Sequence, residues 1–156
     1  ERVRTLIEAE SKGRVSLRRD YDPSIPEFPG DKEQLIQAFL NIARNAMEAA
    51  FENEAASSSS AIPTITFRSR ALRQFTIGHR RHRLVCRVDI IDNGPGIPPE
   101  LLQNIFYPMI SGRASGTGLG LSITQSIIGQ HRGLVECESE PGRTDFIIFL
   151  PLEDSK

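Results

Sequence analysis

Two glycine loops, Asp92-Asn93-Gly94-Pro95-Gly96 and Gly116-Thr117-Gly118-Leu119-Gly120, constrain this chain more than any other feature of it. Glycine lets a backbone come close to a ligand. A glycine loop set before a helix points amide donors at an anion. Upstream, Asn41 and Asn45 lie one helical turn apart and share a face. The apolar residues around them, from Leu35 and Ile36 through Ile42 and Ala46 to Ala50, make the rest of that segment a broad buried stripe. Two glycine loops and an amide-bearing helix describe a nucleotide pocket. No lysine follows either loop, so it is not a P-loop.

The remaining elements read off as follows. Val3, Leu6 and Ile7 give 1–10 one helical face. This piece is expected to be the end of a longer helix from a preceding domain, with the domain proper at 13–156. Residues 14–21 alternate as a strand, and Pro23, Pro26, Pro29 and Gly30 make an irregular turn. Asp31 is the expected N-cap of a helix running to about Phe51. A polar loop with the serine run 57–60 follows. Strands are expected at 62–75 and 84–91, joined by a hairpin connection over 78–83. Residues 98–106 read as a short helix with proline at its start, 107–115 as a loop and 119–130 as a helix. Strands at 134–138 and 145–150 close the chain. This order is α+β, with three helices on one face of a mixed, largely antiparallel sheet.

Each loop has a plain alternative. Asp92 ends a strand and is followed by Gly94 and Gly96, so it can accept a hydrogen bond from an adenine amine. It can equally be a surface aspartate in a Gly-Pro turn. The second loop has the spacing of neither dinucleotide fingerprint nor P-loop: Leu121 stands where a third glycine belongs, and no strand precedes it directly. Asn41 and Asn45 can complete the shell of a Mg²⁺ ion otherwise held by phosphates and water, or be two hydrogen-bonded structural amides.

Taken as an ordered set, these blocks resemble the ATP-binding catalytic domain of sensor histidine kinases, within the gyrase/Hsp90/histidine-kinase/MutL superfamily. Asn41-Ile42-Ala43-Arg44-Asn45-Ala46 resembles its N box, Asp92 to Ile97 its first glycine box, Ile105-Phe106-Tyr107-Pro108 its F box, and Gly116 to Leu121 its second glycine box. His131-Arg132-Gly133 and 141–146 fit its ending. The resemblance covers roughly 13–152, and the phrases YPMISGR and FTIGHRRHRL are most similar to nitrogen-regulation sensor kinases of the NtrB type.

The resemblance implies a two-layer α/β sandwich of the Bergerat type that uses ATP and Mg²⁺. Asn45 would ligate the metal, with Asn41 beside the triphosphate. Asp92 would bind the adenine amine, and Gly94, Gly96, Ile97, Phe106 and Thr144 would shape the base pocket. Gly116, Thr117, Gly118, Leu119, Gly120 and Leu121 would wrap the phosphates. Residues 107–115 would be the lid, whose one cation, Arg113, would reach the terminal phosphate. Glu48 stands where many members carry a basic residue, and Arg44 is the expected substitute. The superfamily's ATPases place a glutamate one turn before the metal asparagine. Asn41 in that place cannot act as a base, which favours phosphate donation over hydrolysis. The acceptor would be a histidine on a separate dimerisation domain, since His79, His82 and His131 lack that motif's acidic neighbour. A response regulator and a PII signal protein are the other implied partners. The fragment would be monomeric, within a homodimeric parent. An ATPase or a serine kinase of the same fold is the alternative.

Composition excludes little. Net charge is −1, which selects neither nucleic acid nor membrane, and no apolar run reaches a membrane span. Cys86 and Cys137 lie in strand-like runs and are expected as buried thiols of a reducing, cytoplasmic compartment. Arg68, Arg70, Arg73, Arg80, Arg81, Arg83 and Arg87 crowd one pair of strands beside Phe67 and Phe75. Such a basic, aromatic hairpin raises a nucleic-acid surface as a distant second reading, and protein docking as a nearer one.

Overall fold

The computed structural model describes residues 1–26, 30–56, 62–106 and 120–152. In chain order the elements are α1 (Arg2–Ser11), β1 (Ser16–Asp20), α2 (Lys32–Ala56), β2 (Thr64–Ile77), β3 (Arg80–Asp92), α3 (Pro99–Leu102), α4 (Gly120–Gln130), β4 (Leu134–Glu140) and β5 (Arg143–Pro151). The strands form one sheet in the order β1-β2-β3-β5-β4. β1 runs parallel to β2, and every other neighbour is antiparallel. The expected α+β class and mixed, largely antiparallel sheet are what the chain adopts.

The alternation of apolar residues decides which face the helices cover. Ile65 and Phe67 on β2, Ile90 on β3, Phe146, Ile148 and Leu150 on β5 and Val135 on β4 point the same way. They pack against Leu35, Ala38, Ile42, Ala43 and Ala46 of α2, Ile127 and Ile128 of α4, and Val3 and Ile7 of α1. The third substantial helix of this layer is therefore α1. The expected helix over 98–106 is only the four residues of α3, none of them buried.

The opposite sheet face has a smaller apolar patch. Val85, Ile147 and Phe149 are buried there beneath Leu72, Phe75, Ile77 and Leu134. Leu72 and Phe75 share this face because Gln74, with φ 52, breaks the alternation of β2 between them.

Other boundaries shift. α2 runs past Phe51 to Ala56, since 52–56 hold good helix formers and no breaker. The hairpin between β2 and β3 turns on Gly78 and His79 alone, so Arg80 to Arg83 belong to β3. Gly78, at φ 61, supplies the left-handed residue such a two-residue turn requires. The serine run 57–60 lies outside the described residues.

Candidate functional site

The expected base-pocket residues gather at the ends of β3 and β5. Asp92 is the last residue of β3 and pairs with Thr144 of β5. It sits on the helix-covered face and is 2% exposed. Its Oδ1 accepts the Gly94 N–H at 2.8 Å, which fixes the carboxylate at the mouth of the loop. Asn93 ties the loop to the start of β2: its Oδ1 accepts the Thr64 N–H at 2.9 Å and its Nδ2 donates to the Ile62 carbonyl at 2.8 Å.

Both glycines of this loop are required by their neighbours. A Cβ on Gly94 would lie 2.7 Å from the Ala49 Cβ. A Cβ on Gly96 would lie 2.5 Å from the Glu140 carbonyl oxygen, and Gly96 has φ 90. The loop is thus pressed between α2 and the β4–β5 turn. Ala49 lies about one helical turn beyond Asn45, so the same contact brings the asparagine helix against the first glycine loop.

Ser139 of β4, which sequence reasoning missed, links the pocket wall. Its Oγ accepts the Ile97 N–H at 2.8 Å and lies 3.1 Å from Thr144 Oγ1. The alternation of β4 places it on the helix side, two residues from Cys137, and only that parity hinted at it. Ile97 packs on the core, and Phe106 meets Phe146 edge-on at 6.4 Å. Burial, with Asp92, Asp145 and Glu138 nearby, pushes the Cys137 thiol up to about 12, and burial raises Cys86 to about 11. Both thiols are free, Cys86 buried and Cys137 half-buried, so neither is a nucleophile at neutral pH.

Asn41 and Asn45 lie half-buried on α2, and Asn41 has a further interaction. Gly120 opens α4, and Leu121 packs on the core. Arg44 is exposed and bound to Glu10 of α1, at 2.6 Å between Nη2 and Oε1. A phosphate contact from Arg44 therefore requires Glu10 to let go. Arg113, Gly116, Thr117, Gly118 and Leu119 lie outside the described residues.

Three of the hairpin's arginines are engaged with carboxylates. Arg68 and Arg87 bind Asp89, and Arg70 binds Asp20. Phe67 is buried in the core and Phe75 stacks on Phe149 at 4.8 Å. The two aromatics that suggested base stacking are thus committed to packing. Among the described residues no His, Cys, Asp and Glu group has the makings of a metal cage.

Comparison with known proteins identifies the family and agrees with the fold. Residues 30–154 match the family described as histidine kinase-, DNA gyrase B-, and HSP90-like ATPase. The chain is 49% identical over 152 residues to the sensory histidine kinase/phosphatase NtrB of Vibrio alginolyticus, covering 97% of this chain and 41% of that protein. It is 46% identical over 133 residues to the protein of that name from Rhodobacter capsulatus, covering 85% and 36%. The chain thus spans about two fifths of the curated relatives it matches. A nucleotide-free catalytic domain of the histidine kinase ThkA superposes with a TM-score of 0.76 at 26% identity, covering 97% of this chain and 88% of that one.

Proposed function

The chain belongs to the histidine kinase-, DNA gyrase B- and HSP90-like ATPase family, and from that premise we propose that it is the catalytic domain of a two-component sensor kinase, binding Mg-ATP and donating the γ-phosphate to a histidine on a separate domain. The observation that carries this reading is Asp92. It is a buried carboxylate at a strand end, oriented by the Gly94 amide, in a loop with no room for side chains at Gly94 and Gly96. Such a group accepts from an exocyclic amine and holds a planar base against the backbone.

The donor set fits the implied ligands. Asp92 and Thr144 would face the base. Asn45 offers a neutral amide oxygen, which suits Mg²⁺ when phosphates supply the charge. The metal would neutralise charge on the transferred group, and the chain's own residues would position it. Asn41 can hold a hydrogen bond but cannot take a proton from water. A water near the terminal phosphate is left unactivated, so the site favours an imidazole nucleophile from another domain over hydrolysis. Arg113 and the second glycine loop complete the proposal on the phosphate side.

The wider reading rests on resemblance to the NtrB relatives. The parent would be a homodimeric, cytoplasmic nitrogen-regulation kinase that serves a response regulator and meets a PII signal protein. Residues 1–12 would lead from its phosphoacceptor domain. No helix among the described residues is long and apolar enough to cross a membrane.

The test is titration with a fluorescent ATP analogue, with and without Mg²⁺, on the wild type and Asp92→Asn. Asn keeps an acceptor for the Gly94 amide but loses the charge. Affinity should fall about tenfold or more in the variant and should depend on Mg²⁺ in the wild type. Binding indifferent to both changes rejects the pocket. Mixing the chain with a histidine-bearing dimerisation domain and ATP then reads phosphotransfer, and rapid hydrolysis without the acceptor would instead favour an ATPase.

A further inference from the structure

The base pocket lies at one end of the sheet. The ladder between β3 and β5 stops at the pair Asp92–Thr144, and the rung before it is Ile91–Asp145. Successive residues of a strand face opposite ways. Asp92 and Thr144 therefore lie on the helix side, and Asp145 lies on the open side. Asp89 is its diagonal neighbour there, on the adjacent strand. The two carboxyl groups share a hydrogen bond. An ionised carboxylate only accepts, so this bond needs a proton. The start of β5 also holds the first glycine loop at two points. Thr144 Oγ1 lies 3.1 Å from Ser139 Oγ, which accepts the Ile97 N–H, and the Gly142 N–H donates to the Pro95 carbonyl at 3.5 Å.

Charged groups reach the carboxyl pair from four strands, while the helices cover the other face. β2 supplies Arg68 and Arg70, β3 supplies Arg87, β4 places Glu138 opposite Asp145, and β5 supplies Arg143. The cations are placed for one charge. Arg68 and Arg87 both bind Asp89, whereas Arg143 stops 3.9 Å from Asp145. Asp145 Oδ1 is buried with no hydrogen-bond partner among the described residues. A second carboxylate here would be buried and unpaired, which is costly. It is met by water entering at the end of the ladder, where a sheet opens most readily, or by Arg143 closing in. Either movement pulls on Thr144, which stands between Arg143 and Asp145, and through it on the rung that carries Asp92.

We propose that Asp145 is a positioning residue for the base pocket and acts through the proton it shares with Asp89. With the proton in place, the carboxyl pair holds the ends of β3 and β5 together, and Asp92 and Thr144 keep their setting. When the proton leaves to solvent, two carboxylates face each other, the end of the ladder loosens, and the base is held less well. This rests on the Mg-ATP reading above and adds proton control to it. Burial, then the bond to Asp89 and its charge, push the Asp145 carboxyl up to about 7. Affinity for the base is therefore full at low pH and falls as pH rises through that value. A merely structural role for Asp145 would not make base affinity depend on pH.

The experiment uses the whole 156-residue chain. Adenosine is the probe, because it reads the base pocket alone and has no phosphate to titrate. Its affinity is measured by chemical-shift titration from pH 5 to pH 8.5 for the wild type and Asp145→Asn, well below their thermal midpoints. The wild type should weaken about five-fold across this range. Asp145→Asn keeps a donor for Asp89 and cannot ionise, so it should bind at every pH as the wild type binds at pH 5. A flat wild-type profile, or the same pH dependence in Asp145→Asn, overturns the proposal while Mg-ATP binding, measured by calorimetry, upholds the reading above. A wild type that binds Mg-ATP but not adenosine also overturns the proposal alone, and one that binds neither overturns both. If Asp145→Asn fails to fold, the wild type decides by reciprocity. Saturating adenosine should then raise the pH at which the pair loses its proton, read from the carboxyl carbon resonances, and an unmoved midpoint overturns the proposal.

Discussion

Asp145 of β5 and Asp89 of β3 share a hydrogen bond between their carboxyl groups on the sheet face away from the helices. Asp89 is 0% exposed and Asp145 1% exposed. The arginines divide unequally between them. Arg87 gives Asp89 two bonds at 2.9 and 3.0 Å, and Arg68 gives it one at 3.1 Å. Arg143 comes no nearer to Asp145 than 3.9 Å, and Asp145 Oδ1 is buried with no hydrogen-bond partner among the described residues. Burial works against a charge on Asp89, but Arg87, Asp145 and Arg68 hold it below the ordinary aspartate range. Burial, then the bond to Asp89 and its charge, push Asp145 up to about 7. The pair shares one proton, and Asp145 carries it.

The pH dependence follows with a definite sign. A carboxyl whose pKa rises on folding stabilises fully below its unfolded value of 3.8, and that contribution is lost as pH rises through about 7. The slope is at most about 1.4 kcal/mol per pH unit. Arg68, Arg70, Arg87 and Arg143 also act on this pair. Asp145→Asn keeps a donor for Asp89 and cannot ionise. The wild type should therefore lose stability relative to Asp145→Asn between pH 5 and pH 8.5, read as diverging thermal midpoints. A difference that stays constant with pH would show that Asp145 is ionised throughout.

Gly96 and Gly142 both have positive φ, at 90 and 87, yet only one is hemmed in. A Cβ on Gly142 meets nothing within 4 Å, so alanine there costs backbone strain alone, about 1–3 kcal/mol. On Gly96 the added atom strikes the Glu140 carbonyl, and the loop beside Asp92 must move. Gly96→Ala should lose nucleotide binding by titration, whereas Gly142→Ala should bind normally with a lower thermal midpoint. Equal binding in the two variants would mean that the first loop does not shape the pocket.

Phe75 gives the converse case. It stacks on Phe149, over which the Arg87 guanidinium also lies at 5.8 Å, on the face away from Asp92. Phe75→Ala removes that stacking and uncovers part of Val85 and Ile147. It should cost about 2 kcal/mol in denaturant unfolding and leave ATP affinity untouched. A loss of affinity without a loss of stability would tie the open sheet face to the nucleotide site.

Local signals made much of this molecule legible. Strand parity located the core faces, and the glycine loops marked places where a side chain has no room, as at Gly94 against Ala49. What sequence could not supply were contacts made across the fold. Arg44 looked like a cation looking for a phosphate, but α1 brings Glu10 to it from a segment assigned to another domain. The arginines of the hairpin looked like a single basic surface, but Asp89 claims Arg68 from the adjacent strand and Arg87 from its own, and Asp20 of β1 claims Arg70. Phe75 changed faces because Gln74 adopts φ 52, which an ordinary glutamine in a strand pattern does not announce. Ser139 had no motif at all, and its role exists only because the β4–β5 hairpin folds back onto the first glycine loop.

Ser139 therefore carries the last prediction. Its hydroxyl accepts from the Ile97 amide, the first residue beyond the Gly-Pro-Gly turn, and touches Thr144 on the strand opposite. Ser139→Ala leaves the Ile97 N–H without that acceptor in a half-buried position, which costs about 1 kcal/mol. Because that bond holds the end of the loop, the loss should reach the base as well as the fold. The thermal midpoint should fall by a few degrees, and affinity should weaken several-fold for adenosine and Mg-ATP alike. Ser139→Thr keeps the oxygen and should recover most of both. If alanine lowers the midpoint while both affinities hold, Ser139 braces the hairpin without shaping the pocket.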